Sequence, residues 1–242
     1  MIQLAAFDIA GTTVDDHGHV YRALEDAVRE NGVDVRPEDL QTWMGADKVE
    51  AIRALLRLGG YAGGDASGDA RGIDALAIEN TVATTFERFR ALLAERYAAE
   101  PPSPFAGVVE ALAELRGRGI KVALTTGFSA DVAAPLLETL GWTVGEGAAH
   151  TLDAVVTTSE VAAGRPAPYM IHRAMEKTGV FDVRSVLAAG DTVVDVQAAR
   201  NAGAIAVGVL TGKLTREELE SQPGVVVLDS VADVPALDIT QA

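Results

Sequence analysis

The sequence contains no cysteine. Disulfides, thiolate metal sites and cysteine nucleophiles are therefore excluded, and thiol usage says nothing about the redox compartment. No apolar run approaches the length needed to span a bilayer, which argues against a membrane protein. The start, Met1-Ile2-Gln3-Leu4-Ala5-Ala6-Phe7-Asp8, has no basic segment followed by a long apolar one. No signal peptide is expected from it, and a cytoplasmic location is. Positive charge is scarce: 20 Lys and Arg stand against 35 Asp and Glu, for a formal net charge of −15. That balance argues against a nucleic-acid surface and matches the ordinary solubility bias of an acidic cytosolic protein.

What is present is enough to build a sizeable core. With 242 residues, 48% of them hydrophobic, the chain can form one large domain or a domain with a smaller cap. A first strand is expected over Ile2–Phe7. Helical spacing then dominates: Val20, Leu24, Ala27 and Val28 share a face within His19–Asn31. Pro37–Trp43 is a short helix opened by proline, and Asp47–Leu58 aligns Val49, Ile52, Leu55 and Leu56. Gly59–Gly72, rich in glycine and small polar residues, is expected as a mobile loop before a long helix over Ile73–Ala99. Thr81, Thr84 and Thr85 lower the propensity of that helix without breaking it.

At Pro101-Pro102-Ser103-Pro104 a helix cannot continue, and the pattern changes. Helices around Val108–Arg116, Ala130–Leu140, Tyr169–Lys177 and Val194–Ala202 alternate with strands Lys121–Thr125, Ala154–Thr157, Ser185–Ala189 and Ala204–Val209. A last strand, Val225–Leu228, follows a short charged helix. Such alternation implies an α/β fold, a parallel sheet covered on both faces, to which Ile2–Phe7 must also belong. The expected division is a Rossmann-like core of residues 1–14 and 101–242, interrupted by a helical cap over 15–100. No internal repeat is visible. Ligands of open parallel sheets bind beyond the carboxyl ends of the strands. Asp8, Thr125-Thr126-Gly127, Gly164-Arg165-Pro166 and Gly190-Asp191-Thr192 all fall at those ends or in the loops just after them.

These segments, in the order Asp8-Ile9-Ala10-Gly11-Thr12, Thr125-Thr126-Gly127, Gly164-Arg165-Pro166 and Gly190-Asp191-Thr192-Val193-Val194-Asp195, resemble the four motifs of the haloacid dehalogenase superfamily. Ala10 in the first motif and Arg165 in place of the usual lysine are similar to its phosphonatase (phosphonoacetaldehyde hydrolase) branch. The resemblance spans core and cap. It implies Asp8 as the nucleophile that takes up a phosphoryl group. Asp8 and Asp191, with the Ala10 carbonyl as a third oxygen, are the implied ligands of a magnesium ion, which suits an all-oxygen site. Asp195, one helical turn beyond Asp191, is assigned to support behind these ligands or to a water-mediated metal contact, with stabilisation of its helix N-terminus a close second alternative. Gly11, Thr12, Thr126 and Gly127 are expected to donate to phosphoryl oxygens. Arg165, always charged and forked, is expected to neutralise both Asp8 and the transferring group.

Ala10 discriminates among reactions. Many phosphatases of the superfamily have an aspartate there that protonates the departing alkoxide, which alanine cannot do. A phosphonate bearing a neighbouring carbonyl does not need that acid if a lysine condenses with the carbonyl and the imine draws off electrons. Met44-Gly45-Ala46-Asp47-Lys48 resembles the family's Met-Gly-x-x-Lys segment, which implies Lys48 as that lysine and Met44 and Gly45 as substrate contacts. Three positions depart from the family: Ala51, Phe128 and Gly18 stand where it has histidine, tyrosine and cysteine. The expected substrate is accordingly a small oxo-phosphonate other than the standard one. A magnesium-dependent phosphate-ester phosphatase and a non-catalytic phosphate- or metal-binding relative are the alternatives. His17 and His19 offer substitute proton carriers, with exposed loop histidines the favoured alternative, and the oligomeric state is left open.

Overall fold

The structure is a computed structural model that describes residues 1–61 and 75–240. The chain divides into two compact units, Met1–His17 with Pro102–Ala242, and Gly18–Pro101.

The first unit opens with β1 (Leu4–Phe7) and a two-residue strand β2 (Val14–Asp15). The chain then enters the second unit, made of α1 (His19–Arg29), α2 (Pro37–Thr42), α3 (Lys48–Leu58) and α4 (Ala75–Ala99). It returns through β3 (Ser103–Pro104), α5 (Val108–Gly117), β4 (Lys121–Thr126), α6 (Ala130–Thr139) and β5 (Ala154–Thr157). The remainder is α7 (Tyr169–Thr178), β6 (Val186–Gly190), α8 (Val193–Ala202), β7 (Ile205–Val209), α9 (Arg216–Glu220) and β8 (Val226–Leu228). Six strands form one all-parallel sheet in the order β5-β4-β1-β6-β7-β8.

Every residue of β1 and β6 is buried, so both faces of the sheet centre are covered, as a parallel sheet requires. Their sequences, LAAF and VLAAG, are rich in alanine, which leaves room for the helices. Leu4, Ala6, Val186 and Ala188 share a cluster with Met170, Ile171, Ala174 and Met175 of α7 and Val196 and Ala199 of α8. The alternation of strand and helix signals is thus realised, with element ends shifted by one or two residues. Among the described residues no helix is long and apolar enough to cross a membrane.

In the inserted unit α4 packs against α1 and α3. Leu24 and Val28, Ile52 and Leu56, and Val82, Phe89 and Leu93 fill its interior. The threonines of α4 are accommodated by bonding back along the helix: Thr81 donates to the Ala77 carbonyl and Thr84 to that of Asn80. Thr85, buried, accepts instead from the Asn31 amide at 3.0 Å, which joins the end of α1 to α4. Asp47 caps α3 by accepting the Glu50 N–H at 3.0 Å. Of the expected glycine-rich loop, Gly59 is the C-cap of α3; the part beyond Tyr61, with Ile73 of the expected helix, lies outside the described residues.

One expectation fails here. His19 is not an exposed loop histidine but the buried first residue of α1. It shares the inner face with Ala23 and Ala27, and its polar atoms are met by partners: Nε2 lies 3.0 Å from Glu100 Oε2 and Nδ1 lies 2.9 Å from Arg22.

Because Phe89 is fully buried in the inserted unit, Phe89→Ala should lower unfolding stability by about 3–5 kcal/mol, read by urea denaturation.

Candidate active site

Strand register brings the chemistry-bearing residues to one edge. Phe7 of β1 is paired with Leu124 of β4 on one side and Ala189 of β6 on the other, so the three strands end at one edge, β6 one residue and β4 two residues beyond β1. Asp8 follows at once, its N–H donating to the Ala189 carbonyl at 3.0 Å. Thr125 and Thr126 end β4, and Asp191 follows Gly190 at the end of β6. The turn after Asp8 is held by Thr13, whose hydroxyl donates to the Asp8 carbonyl at 2.9 Å. Gly11 in that turn has φ +85°, a conformation that glycine alone adopts without strain. Ala10, in the same turn, is half-buried.

Arg165 ties this edge together. Its NH1 lies 2.7 Å from Asp8 Oδ1 and its Nε 2.8 Å from Asp195 Oδ1. Its NH2 donates to the carbonyl and hydroxyl of Thr125 at 2.7 and 2.8 Å. Asp195 also closes the N-terminus of α8, accepting the Thr192 N–H at 3.1 Å, so the helix-capping alternative and the tie to Arg165 hold together. The Thr12 hydroxyl donates to Asp191 Oδ1 at 2.8 Å, which directs it at the carboxylate. Thr126 accepts the Phe128 N–H at 3.1 Å in the turn that holds Gly127 and leads to α6. Asp8, Arg165, Asp191 and Asp195 are all buried.

Burial dominates the electrostatics. It pushes the Asp8 carboxyl up to about 6; Arg165 pulls it down and Asp195 adds to the rise. Burial, then Asp195 and Asp8, holds Asp191 well above the usual carboxylate range. For Arg165 burial opposes the charge, but Asp195 and Asp8 outweigh it and its proton is held more tightly than usual.

Lys48, Met44 and Gly45 belong to the inserted unit. Lys48 is the first residue of α3, buried, and donates from Nζ to the Ala46 carbonyl at 3.1 Å. Met44 is buried and Gly45 has φ +77° in the link between α2 and α3. Thr125, named in the second motif without a role, holds Arg165. Thr211-Gly212, just after β7, was not singled out from sequence and abuts the Gly11 turn and Asp191. Its signal was available, since it follows a strand at the carboxyl edge. A crevice of about 450 Å³ beside Arg116, Lys121 and His150 lies instead at the amino end of β4. Arg116 is committed there to Asp153 and to the Gly145 and His150 carbonyls, so that crevice is not the reaction site.

The family model for haloacid dehalogenase-like hydrolases matches residues 2–203. The chain belongs to that family. Among curated relatives, the phosphonoacetaldehyde hydrolase of Bacillus cereus is 34% identical over 237 residues, covering 93% of this chain and 83% of the relative. A hydrolase from Pseudomonas syringae superposes with a TM-score of 0.79 at 22% identity, covering 97% of this chain and 96% of that one. A phosphonoacetaldehyde hydrolase-like protein from Oleispira antarctica superposes with a TM-score of 0.76 at 23% identity, covering 99% and 92%. These likenesses fix the fold, and the family makes the protein a hydrolase.

Haloacid dehalogenase-like hydrolases use a metal ion, and the residues here fit one. Single carboxylate oxygens of Asp8, Asp191 and Asp195 lie within 4.8 Å of one another. Three buried carboxylates against one guanidinium leave two negative charges, which a divalent cation balances. Without metal, folding raises the Asp8 pKa from 3.8 to about 6. The folded state then keeps a proton that the unfolded state has released. The contribution of Asp8 to the stability of the metal-free protein should therefore fall as pH rises between those two values. Melting curves in EDTA should show Asp8→Asn gaining on the wild type across that window, and a difference independent of pH would contradict the shift.

Proposed function

We propose that this hydrolase cleaves the carbon–phosphorus bond of a small 2-oxo-alkylphosphonate, with Asp8 as nucleophile and Lys48 as an imine-forming amine. One observation supports this reading above the others. The charged groups gathered at Asp8 within the core are Arg165, Asp191 and Asp195. Arg165 cannot give up its proton, the two aspartates belong to the cation cluster, and the position of the usual acid is Ala10. The core thus offers strong stabilisation of a phosphoryl group and no dedicated donor for an alkoxide. A substrate whose leaving carbon is stabilised through an imine matches that division.

In this reading the Lys48 amine adds to the substrate carbonyl, and the resulting carbinolamine takes up a proton from solvent and loses water to give a protonated imine. The Asp8 carboxylate attacks phosphorus, the carbon–phosphorus bond breaks, and its electron pair passes into the imine to give an enamine. Water then cleaves the aspartyl-phosphate, releasing phosphate and the Asp8 carboxylate. The enamine takes up a proton, and hydrolysis of the resulting imine returns the carbonyl product and free Lys48. Arg165 stays charged throughout, orients Asp8 at 2.7 Å and offsets phosphoryl charge. Thr126 and the N–H groups near Gly11 and Gly127 donate to the phosphoryl oxygens. A magnesium ion held by Asp8, Asp191 and the Ala10 carbonyl would supply further charge stabilisation at the phosphoryl group.

A second reading, a phosphate-ester phosphatase, is favoured by Ala51 and Phe128. Both are buried and apolar where the phosphonatase branch has histidine and tyrosine. Lys48 would then serve only as a substrate-holding cation.

Asp8→Asn should reduce turnover by about 10⁴-fold or more while leaving the fold intact under either reading. Lys48 separates them. Borohydride added during turnover of an oxo-phosphonate should trap a secondary amine on the Lys48 peptide, seen by mass spectrometry. Lys48→Arg should retain phosphonate binding and lose carbon–phosphorus cleavage. Cleavage that survives Lys48→Arg, or absence of the adduct, would overturn the imine step, whereas turnover of phosphate esters with none of any oxo-phosphonate would leave the phosphatase reading as the better account.

A further inference from the structure

The Asp191 carboxylate occupies a slot that exists only because two residues lack side chains. A Cβ on Gly11 would lie 2.7 Å from Asp191 Oδ2 and 2.9 Å from Cγ and Oδ1. A Cβ on Gly212 would lie 2.6 Å from both Cβ and Cγ of Asp191, and closer still to Oδ2. The walls come from distant parts of the chain, the turn after β1 and the loop after β7. They are joined by one bond, from the Thr211 hydroxyl to the Gly11 carbonyl at 2.6 Å. On the remaining side the Thr12 hydroxyl donates to Asp191 Oδ1 at 2.8 Å. A carboxylate so enclosed has little freedom to turn. Its position relative to Asp8 is set by how far apart the two glycine walls are held.

We propose that Thr211 and Gly212 are positioning residues for the cation site. Gly212 admits the Asp191 carboxylate, and the Thr211 hydroxyl latches the Gly212 wall to the Gly11 wall, setting the spacing between Asp191 and Asp8. The inference rests on the reading of the aspartate cluster as a divalent-cation site. Neither residue touches the reacting atoms. Their effect passes through Asp191, as partners behind a ligand ordinarily tune metal affinity.

The test is a calorimetric titration of EDTA-stripped protein with manganese chloride, alongside melting curves in EDTA. Wild type should bind one cation. Thr211→Val, close to isosteric but without the hydroxyl, should raise the Kd by about tenfold. Thr211→Ser, which restores the hydroxyl, should return the Kd to within about twofold of wild type, a margin smaller than outer-partner effects. Gly212→Ala should raise the Kd at least as much as Thr211→Val, since it displaces Asp191 directly. A role confined to folding would lower the melting temperature in EDTA and leave the Kd unmoved. Wild-type affinity in Thr211→Val would overturn the proposal, and the Thr211 pair decides even if Gly212→Ala does not fold. No cation binding by wild type would overturn the cation reading itself, a result distinct from equal binding by wild type and variants.

Discussion

The Arg165 guanidinium is the interaction on which the site depends. Its nitrogens reach Asp8 beyond β1, Asp195 in the first turn of α8, and the carbonyl and hydroxyl of Thr125 in β4. Without it the three carboxylates would be buried with like charges as neighbours, and their cheapest response would be to take up protons. With it, three carboxylates face one guanidinium, a formal imbalance that a divalent cation would meet, and Asp8 is held in place at 2.7 Å. A lysine could supply the charge but not this three-way geometry, because an ammonium has no planar fork. Arginine in the third motif is therefore a geometric choice as much as an electrostatic one.

The architecture was legible from sequence because two periodicities alternate cleanly after Pro101, and because strand ends in a parallel sheet gather the polar residues. Asp8, Arg165, Asp191 and Asp195 do meet at one edge. What stayed hidden depends on close approach rather than on pattern. His19 opens a helix whose cap is Gly18, and its ring meets Glu100, at the far end of the inserted segment. Thr211 and Gly212 look like an ordinary loop pair until the distance to Asp191 is known. The Thr12 hydroxyl meets Asp191 at 2.8 Å, a contact that no spacing in the motif announces. Packing at this scale has no periodic signature.

Under the proposed function, a division of labour between the units follows from Ala10. In that reaction the core residues would gather charge stabilisation for a phosphoryl group, and nothing at that position ties the core to one leaving group. Any chemistry specific to the carbon side of the substrate must come from elsewhere in the chain. The inserted helices, with their own interior and their own ion pairs such as Arg88–Glu30 and Arg53–Glu79, carry the candidate for it in Lys48.

The smallest sheet in the molecule has the largest consequence for how such a chain can change. β2 and β3 pair antiparallel, Val14 with Pro104 and Asp15 with Ser103, so the chain leaves and re-enters the core at neighbouring points. Antiparallel strands can be joined by as few as two residues, and the core would close on itself just as well there. The 84 residues of Gly18–Pro101 are thus a detour that the core's own connectivity does not require. Such a detour can be lengthened, exchanged or discarded without rethreading the sheet, so that under the proposed function substrate choice is separable from phosphoryl chemistry at the level of chain topology.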